Sequence, residues 1–334
     1  MTDSPVKRRL EALQRDFASV AGKPFSHFYC PITHLDEAAE LCRGHVVPQL
    51  FPDSARDWVV QRKDVENFYG SRFESDFAAI LYTEGGTPES VLLDKDLSRL
   101  FDITITADGK PIEYFFAKDE ISHRFTGLDL RGRGDQQVFL GLKLDPTDAF
   151  DKASAKWETW VSKDIRLPAL VSLLKAGYLT LYSLLGYRYA LSSDGRFLGS
   201  AMLGWFFQQN KGKKKPAVVS SARRFFAQAA HMVRPALKTP GDIAGTITDK
   251  TMLICRGSKG EPWGVIVFVK TSKQKHAVLL PLTESDKARE LFMSFLVNDT
   301  TQFSARFIRF EGDHWLENPK VLTIEWPKGE GLLE

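Results

Sequence analysis

The sequence predicts an α+β protein, in which helices and antiparallel strands occupy separate stretches of the chain. Apolar residues recur at helical spacing near the N-terminus, and two alternating segments flank a turn at 107–109. The stretch 238–334 alternates between strand-like and helix-like segments. We therefore expect a strand-and-helix unit, a β-rich segment, a helical region and a C-terminal α+β domain, at residues 1–84, 85–150, 151–237 and 238–334.

The composition is that of an ordinary globular protein. Hydrophobic residues make up 43% and charged residues 26% of the 334 positions, enough for more than one domain with a sizeable core. Aromatic residues make up 12%, including 24 Phe, which argues against disorder. The net charge of +3 is too small to indicate a nucleic-acid partner, so such a partner would need a local basic patch.

Cysteine usage and the N-terminus favour the cytoplasm. Three cysteines, Cys30, Cys42 and Cys255, form an odd set without disulfide spacing. The N-terminus lacks the apolar run of a signal peptide. Residues 169–187 have transmembrane length, with Lys175 as their only charge. We expect no membrane contact, with a span at 169–187 as the minor alternative to a buried helix pair.

The N-terminal elements are predicted from spacing. Pro5 opens a helix that Gly22 ends, and segments 25–33 and 40–47 alternate as a β-hairpin does. Residues 58–61 predict a further short strand. A helix over 63–81 has an apolar stripe and a polar face. The stripe is Val65, Tyr69, Phe73, Phe77 and Ile80, and the polar face is Asp64, Asn67, Ser71 and Glu74.

The remaining elements follow the same patterns. Residues 101–106 and 112–116 predict a hairpin, and 138–144 a further strand. Residues 153–209 predict helices separated by a turn at 193–195, and 217–237 predicts another helix. The C-terminal domain is predicted to contain a helix at 285–297 and strands at 246–255, 263–270, 276–281, 303–310 and 321–326.

Residues 42–48 carry the most specific pattern, Cys-Arg-Gly-His-Val-Val-Pro, which places His45 between a strand and a proline exit. With the knuckle at 30–33 and the helix bearing Asn67, residues 25–81 resemble the ββα-metal core of HNH (His-Me finger) nucleases. Residues 175–199 resemble an accessory region of bacterial HNH-containing proteins. The resemblance implies a bacterial, metal-dependent endonuclease that hydrolyses phosphodiester bonds, with DNA as the expected substrate.

The resemblance also assigns roles. His45 would be the general base, a task that suits an imidazole at neutral pH, and Asn67 would help to hold the metal. A Mg²⁺ or Mn²⁺ ion would stabilise the charge on the phosphate. Gly44 stands where family members often have an acidic metal ligand. Asp64, Glu74 or Glu40 would have to replace that ligand.

Zinc enters only as an alternative. Thr33, Lys63 and Glu66 stand where the family's paired cysteine knuckles would need cysteines, so we expect no structural zinc of that kind. A second interpretation uses two sulfurs and two nitrogens as tetrahedral ligands, which would remove His45 as a base. That set is Cys30, His34, Cys42 and His45.

Two further expectations concern partners. Basic residues are expected to neutralise the phosphates of bound nucleic acid, namely Lys213, Lys214, Lys215, Arg223 and Arg224. The alternative to an enzyme is a non-catalytic nucleic-acid-binding or protein-binding protein on a degenerate HNH scaffold. Gly44 favours that alternative.

Overall fold

The fold is known from a computed structural model. The structure describes residues 5–47, 58–74, 166–213, 232–235, 251–270, 275–297, 302–311 and 314–326, and the backbone of strands between 102 and 160. Helices and antiparallel sheets confirm the α+β class. The chain forms two compact units, Met1–Glu74 with Leu170–Glu334, and Ser75–Ala169. The predicted boundaries at 84, 150 and 237 lie outside the described residues and stay predictions.

The first helix, α1, spans Pro5–Ala21, as predicted. Gly22 follows with a φ of +77°, a conformation that favours glycine and ends the helix. Phe17 is the buried residue of α1. Its ring lies 4.8 Å from that of Tyr29 and 5.0 Å from that of Tyr187. Aromatic packing therefore fixes α1 to the segment before the first strand and to the helical region.

Two strands and a helix follow in immediate succession. Strand β1 is Leu41–His45, β2 is Trp58–Arg62, and helix α2 is Lys63–Tyr69, continued by a π-helix over Gly70–Glu74. The strands are antiparallel, with His45 opposite Trp58. The predicted α2 start and its apolar stripe are confirmed, since Val65, Tyr69 and Phe73 are buried. Phe77 and Ile80 lie outside the described residues.

The predicted hairpin partner was wrong. Residues 25–33 form no strand and contribute one isolated bridge, between Tyr29 and Asp36. The chain instead turns tightly, with the His34 N–H donating to the Cys30 carbonyl at 2.8 Å. Pro31 lacks the N–H that a paired strand would need, and His34 adopts a φ of 55°. β1 therefore pairs with β2.

The second unit contains a four-stranded sheet. Its strands are β3 (Asp102–Ala107), β4 (Lys110–Lys118), β5 (Phe125–Asp129) and β6 (Glu158–Trp160). Their order is β5-β4-β3-β6. The β3–β4 hairpin was predicted. β6 corrects the helical prediction at 153–209, because the β-branched Thr159 and the aromatic Trp160 favour a strand there. The strand predicted at 138–144 lies outside the described residues.

Residues 166–213 of the helical region contain four α-helices. They are α3 (Arg166–Leu185), α4 (Tyr187–Ala190), α5 (Ser193–Arg196) and α6 (Trp205–Asn210), with a π-helix at Phe197–Gly204. The turn predicted at 193–195 is helical instead, because the Ser192 hydroxyl caps α5 by accepting the Gly195 N–H at 3.0 Å. In the part of the chain that the structure describes, no helix is long and apolar enough to cross a membrane.

A six-stranded antiparallel sheet forms the C-terminal part, in the order β12-β11-β8-β9-β10-β7. The strands are β7 (Val233–Pro235), β8 (Thr251–Arg256), β9 (Pro262–Lys270), β10 (Lys275–Pro281), β11 (Gln302–Glu311) and β12 (His314–Glu325). Helix α7, Asp286–Val297, was predicted, as were β8 to β11. β12 begins earlier than expected, and β7 replaces the predicted end of the helix at 217–237. Trp263 packs on Phe295 at 5.5 Å between ring centroids.

Buried tyrosines hold the irregular parts of the first unit. A carbonyl in a segment without strand partners needs another donor, and a phenol can supply it. Tyr178 donates to the Pro31 carbonyl at 2.6 Å, and Tyr187 donates to that of Tyr29. Tyr69 likewise donates to the Leu203 carbonyl at 2.7 Å. These hydrogen bonds connect segments far apart in sequence, and the two from Tyr178 and Tyr187 fix the knuckle before β1.

Candidate functional site

His45 ends β1 and faces Glu66, which lies in the first turn of α2. The His45 backbone N–H donates to Glu66 Oε1 at 2.8 Å, and His45 Nδ1 lies 3.4 Å from the same oxygen. The His45 side chain is 25% exposed and that of Glu66 12% exposed. One carboxylate oxygen therefore contacts both the backbone and the ring of a partly accessible histidine.

The other oxygen of Glu66 binds a buried lysine. Lys175 Nζ donates to Glu66 Oε2 at 2.9 Å, and the Lys175 side chain is only 2% exposed. The same ammonium lies 5.6 Å from the centroid of the Tyr69 ring. The three side chains form a row, Lys175–Glu66–His45, which joins α3, α2 and β1. A buried lysine needs such a partner, because an unpaired charge in the interior is costly.

Glu66 is ionised throughout the physiological range. Burial raises its pKa, but the charge of Lys175 and hydrogen bonds from His45 and Lys175 outweigh burial and lower the pKa to about 2. Burial and the Glu66 charge raise the pKa of the nearby Cys42 thiol to about 11. Cys42 is therefore a neutral thiol at neutral pH, which makes it a poor nucleophile or metal ligand.

This arrangement can support general-base chemistry. A carboxylate beside Nδ1 favours the tautomer that carries its proton on Nδ1 and its lone pair on Nε2. The lone pair of His45 could then take a proton, and Glu66 would stabilise the imidazolium that forms. Lys175 holds the carboxylate in place through its second oxygen.

The structure leaves no space at position 44 for the acidic side chain that family members often have there. A Cβ atom added at Gly44 would lie 2.5 Å from Gln61 Cβ and 3.3 Å from Glu66 Oε2. Real Cβ atoms essentially never approach side-chain carbon so closely. A side chain at 44 would thus require a shift of β2, because the obstructing atom is the first carbon of the Gln61 side chain.

Two of the predicted replacement ligands, Asp64 and Glu40, pair with cationic side chains instead. Asp64 accepts hydrogen bonds from Arg62 Nε at 3.1 Å and Arg62 Nη2 at 2.9 Å. Its pKa is lowered, since these contacts with Arg62 outweigh the effect of burial. Glu40 pairs with Lys63 at 2.6 Å on the surface. Asn67 is exposed and lies about 100° around α2 from Glu66. The side chain of Glu74 lies outside the described residues.

The described side chains do not form a metal site. Within the described ranges, no group of three or more His, Cys, Asp or Glu residues is arranged to hold a metal ion. Mg²⁺ needs several oxygen ligands, whereas the carboxylates of Asp64 and Glu66 already contact cationic side chains. The described residues therefore do not fit the predicted cation.

The four residues of the alternative zinc set do not converge either. Cys30 is fully buried, with its thiol 3.7 Å from Gln61 Oε1. His34 Nδ1 lies 3.4 Å from the Tyr29 hydroxyl, and burial with the charge of Arg196 lowers the His34 pKa to about 4. His45 faces Glu66 instead.

Of the predicted nucleic-acid contacts, the structure describes one. Lys213 is exposed just after α6, and its N–H donates to the Asn210 carbonyl at 3.1 Å. Lys214, Lys215, Arg223 and Arg224 lie outside the described residues. Their role stays a prediction.

Sequence reasoning missed the residues that orient His45. Lys175 was recognised as the single charge in the apolar segment 169–187, and a buried lysine requires an acidic partner. Glu66 was considered only as a substitution in a zinc knuckle. Lys175 therefore indicated that an acidic partner exists, but the sequence could not show which acidic residue it is.

In comparisons with protein-family models, curated proteins and solved structures, the chain matches none of them.

Proposed function

We propose that this chain is an HNH-like phosphodiester hydrolase with His45 as its general base, acting on DNA in the cytoplasm. The observation that carries the proposal is the placement of His45. It ends the first strand of a strand-strand-helix unit, and Glu66 contacts both its backbone N–H and its ring. An accessible imidazole beside a fixed carboxylate is suited to removing a proton from water.

In this proposal each residue of the row has its own task. Lys175 neutralises and fixes Glu66, and Glu66 selects the tautomer and orientation of His45. His45 takes the proton of the attacking water, after which the negative charge of Glu66 stabilises the imidazolium. Lys175 is too deeply buried to contact a phosphate itself.

The predicted Mg²⁺ or Mn²⁺ ion stays an expectation from the HNH resemblance. Since the described residues do not provide a ligand set, the proposed mechanism assigns no step to the ion. Dependence on a divalent cation is therefore measured independently of the role of His45.

The test is a plasmid-nicking assay with Mg²⁺, with Mn²⁺ and with EDTA. His45→Ala should lower the cleavage rate by about 10²–10⁴, the usual contribution of a general base. Glu66→Gln should also lower the cleavage rate, because a neutral amide would orient the His45 imidazole less firmly. His27→Ala is the matched control, because His27 is an exposed histidine of the same unit. Undiminished cleavage by His45→Ala would contradict the assignment.

Gly44 favours a second candidate, a non-catalytic binding protein on the same scaffold. Gln61 occupies the space that the side chain of an acidic residue at position 44 would need. On this hypothesis the Lys175–Glu66 pair is structural. Wild-type protein that binds DNA without nicking it under any of the three conditions would support this candidate over the hydrolase.

A further inference from the structure

Two arginines stack on one tryptophan beside His45. The guanidinium carbon of Arg9, from α1, lies 4.7 Å from the centroid of the Trp58 ring, and that of Arg43, from β1, lies 5.1 Å from it. Trp58 is paired with His45 across the strands. Directly opposed residues of antiparallel strands share one face, so the stacked arginines and His45 belong to the same face of the β1–β2 pair.

Arg43 has no counter-charge among the residues that the structure describes. Its side chain is exposed. The first turn of α1 contains no acidic residue, and Lys7, Arg8 and Arg9 follow one another there. Cations at a helix N-terminus are disfavoured by the helix dipole. Lys7, Arg8 and Arg9 therefore do not stabilise α1 through its helix dipole.

The stacking also prepares the guanidinium groups to bind an anion. An arginine that lies over an aromatic ring retains its in-plane N–H groups, which match two oxygens of a phosphate. Trp58 restrains both side chains, so less conformational entropy is lost when the anion arrives. Two such groups near one ring suit a polymer that presents phosphates in series.

We propose that Arg9, Arg43 and Trp58 form a docking surface for the phosphodiester backbone of a nucleic acid. The choice of nucleic acid as occupant rests on the proposed function, because His45 lies on the same face. Contacts to phosphate carry no base information, so binding is independent of sequence. This surface is distinct from the predicted Lys213–Lys215 segment.

The test is fluorescence anisotropy with a short labelled DNA duplex of arbitrary sequence, titrated at several salt concentrations. Removing one phosphate contact should reduce the slope of log affinity against log salt by about 0.9. Arg43→Gln should show this reduction, and the Arg9→Gln/Arg43→Gln double variant about twice as much. Arg43→Lys keeps the charge but loses the planar donor fork, so it should bind more weakly with the wild-type slope.

Arg289→Gln is the control, because Arg289 is an exposed arginine on α7, and it should bind with the wild-type slope and affinity. Circular dichroism establishes that each variant is folded. Wild-type affinity and slope in Arg43→Gln would overturn the docking surface, as would an absence of duplex binding by the wild type. Binding through Arg43 without any nicking contradicts only the hydrolase.

Discussion

The two halves of the first unit are stabilised by different physics. In the C-terminal sheet, Val265, Ile266 and Val267 of β9 are fully buried, as are Leu279 and Leu280 of β10. Where α3 meets α2, the interior instead holds a lysine and a carboxylate. Apolar burial is non-directional and indifferent to pH, whereas an ion pair depends on geometry and on protonation. The comparison shows that one compact unit can contain a region stabilised by apolar burial and a region stabilised by an ion pair.

The largest expected effect comes from breaking the ion pair. Lys175→Met leaves Glu66 buried without its cation, which should reduce the free energy of unfolding by about 3–5 kcal/mol. Urea denaturation measures the change. The control is Lys211→Met, because Lys211 is 55% exposed at 3.5 Å from Asp64 and should contribute less than about 1 kcal/mol. Equal losses in both variants would contradict the distinction.

Acid should weaken the ion-paired region. The Glu66 pKa is lowered from its ordinary value of 4.5 to about 2, so the unfolded chain binds a proton more readily than the folded one. The resulting stability is present above pH 4.5 and is lost as the pH falls towards 2, by roughly 3 kcal/mol. Denaturation curves across this window measure the loss. Lys175→Met should remove this contribution, so an unchanged acid dependence in that variant would refute the Glu66 assignment.

A cavity-forming substitution tests the apolar packing of the C-terminal sheet. Leu279 is fully buried, and Leu279→Ala should reduce the free energy of unfolding by about 2–5 kcal/mol. The reduction should be the same at pH 5 as at pH 7 because no ionisable group is changed. A reduction that varies between those two pH values would show that Leu279 is coupled to an ionisable group, of which the buried His276 on the same strand is the nearest in sequence.

A smaller effect is expected where a tyrosine holds the knuckle. Tyr178→Phe removes the donor to the buried Pro31 carbonyl, which should cost about 1–3 kcal/mol of unfolding free energy. Hydrogen exchange should also accelerate at the His34 amide, whose bond closes the knuckle. An unchanged exchange rate would show that the knuckle does not depend on Tyr178.

The smallest effect belongs to the surface of the sheet. Leu316 on β12 is 51% exposed, so Leu316→Gln should change the free energy of unfolding by less than about 0.5 kcal/mol. The same urea measurement applies, with Leu279→Ala as the buried counterpart. A loss comparable to that of the buried leucine would mean that Leu316 is covered.

The features that the sequence predicted are those determined by near neighbours. Strands β9 and β10 could be recognised because apolar and β-branched residues are continuous there, and α2 because Val65, Tyr69 and Phe73 repeat at helical spacing. The position of His45 at the end of β1 was likewise local. The pairing partner of β1 could not be recognised in this way, because strand pairing is decided by the packing of whole segments and not by alternation alone.

The orientation of His45 could not be predicted, since it depends on side chains distant in sequence. Lys175 and Glu66 are separated by 109 positions. The sequence shows that a lysine within an apolar segment needs a counter-charge, but many acids are available to supply it. The predicted ligand Asp64 was assigned from its helix face, and the structure gives it an arginine two residues earlier as its partner.

The close contact at Gly44 determines the order in which a metal ligand could be engineered into this fold. Gly44→Asp alone places its Cβ against that of Gln61, and shortening Gln61 to alanine leaves the obstructing atom in place. Only Gln61→Gly removes it, so that substitution has to come first, and the two changes are not additive. The route to an acid at position 44 therefore passes through an intermediate with two glycines in adjacent strands. That intermediate loses the buried Gln61 side chain before any metal can compensate.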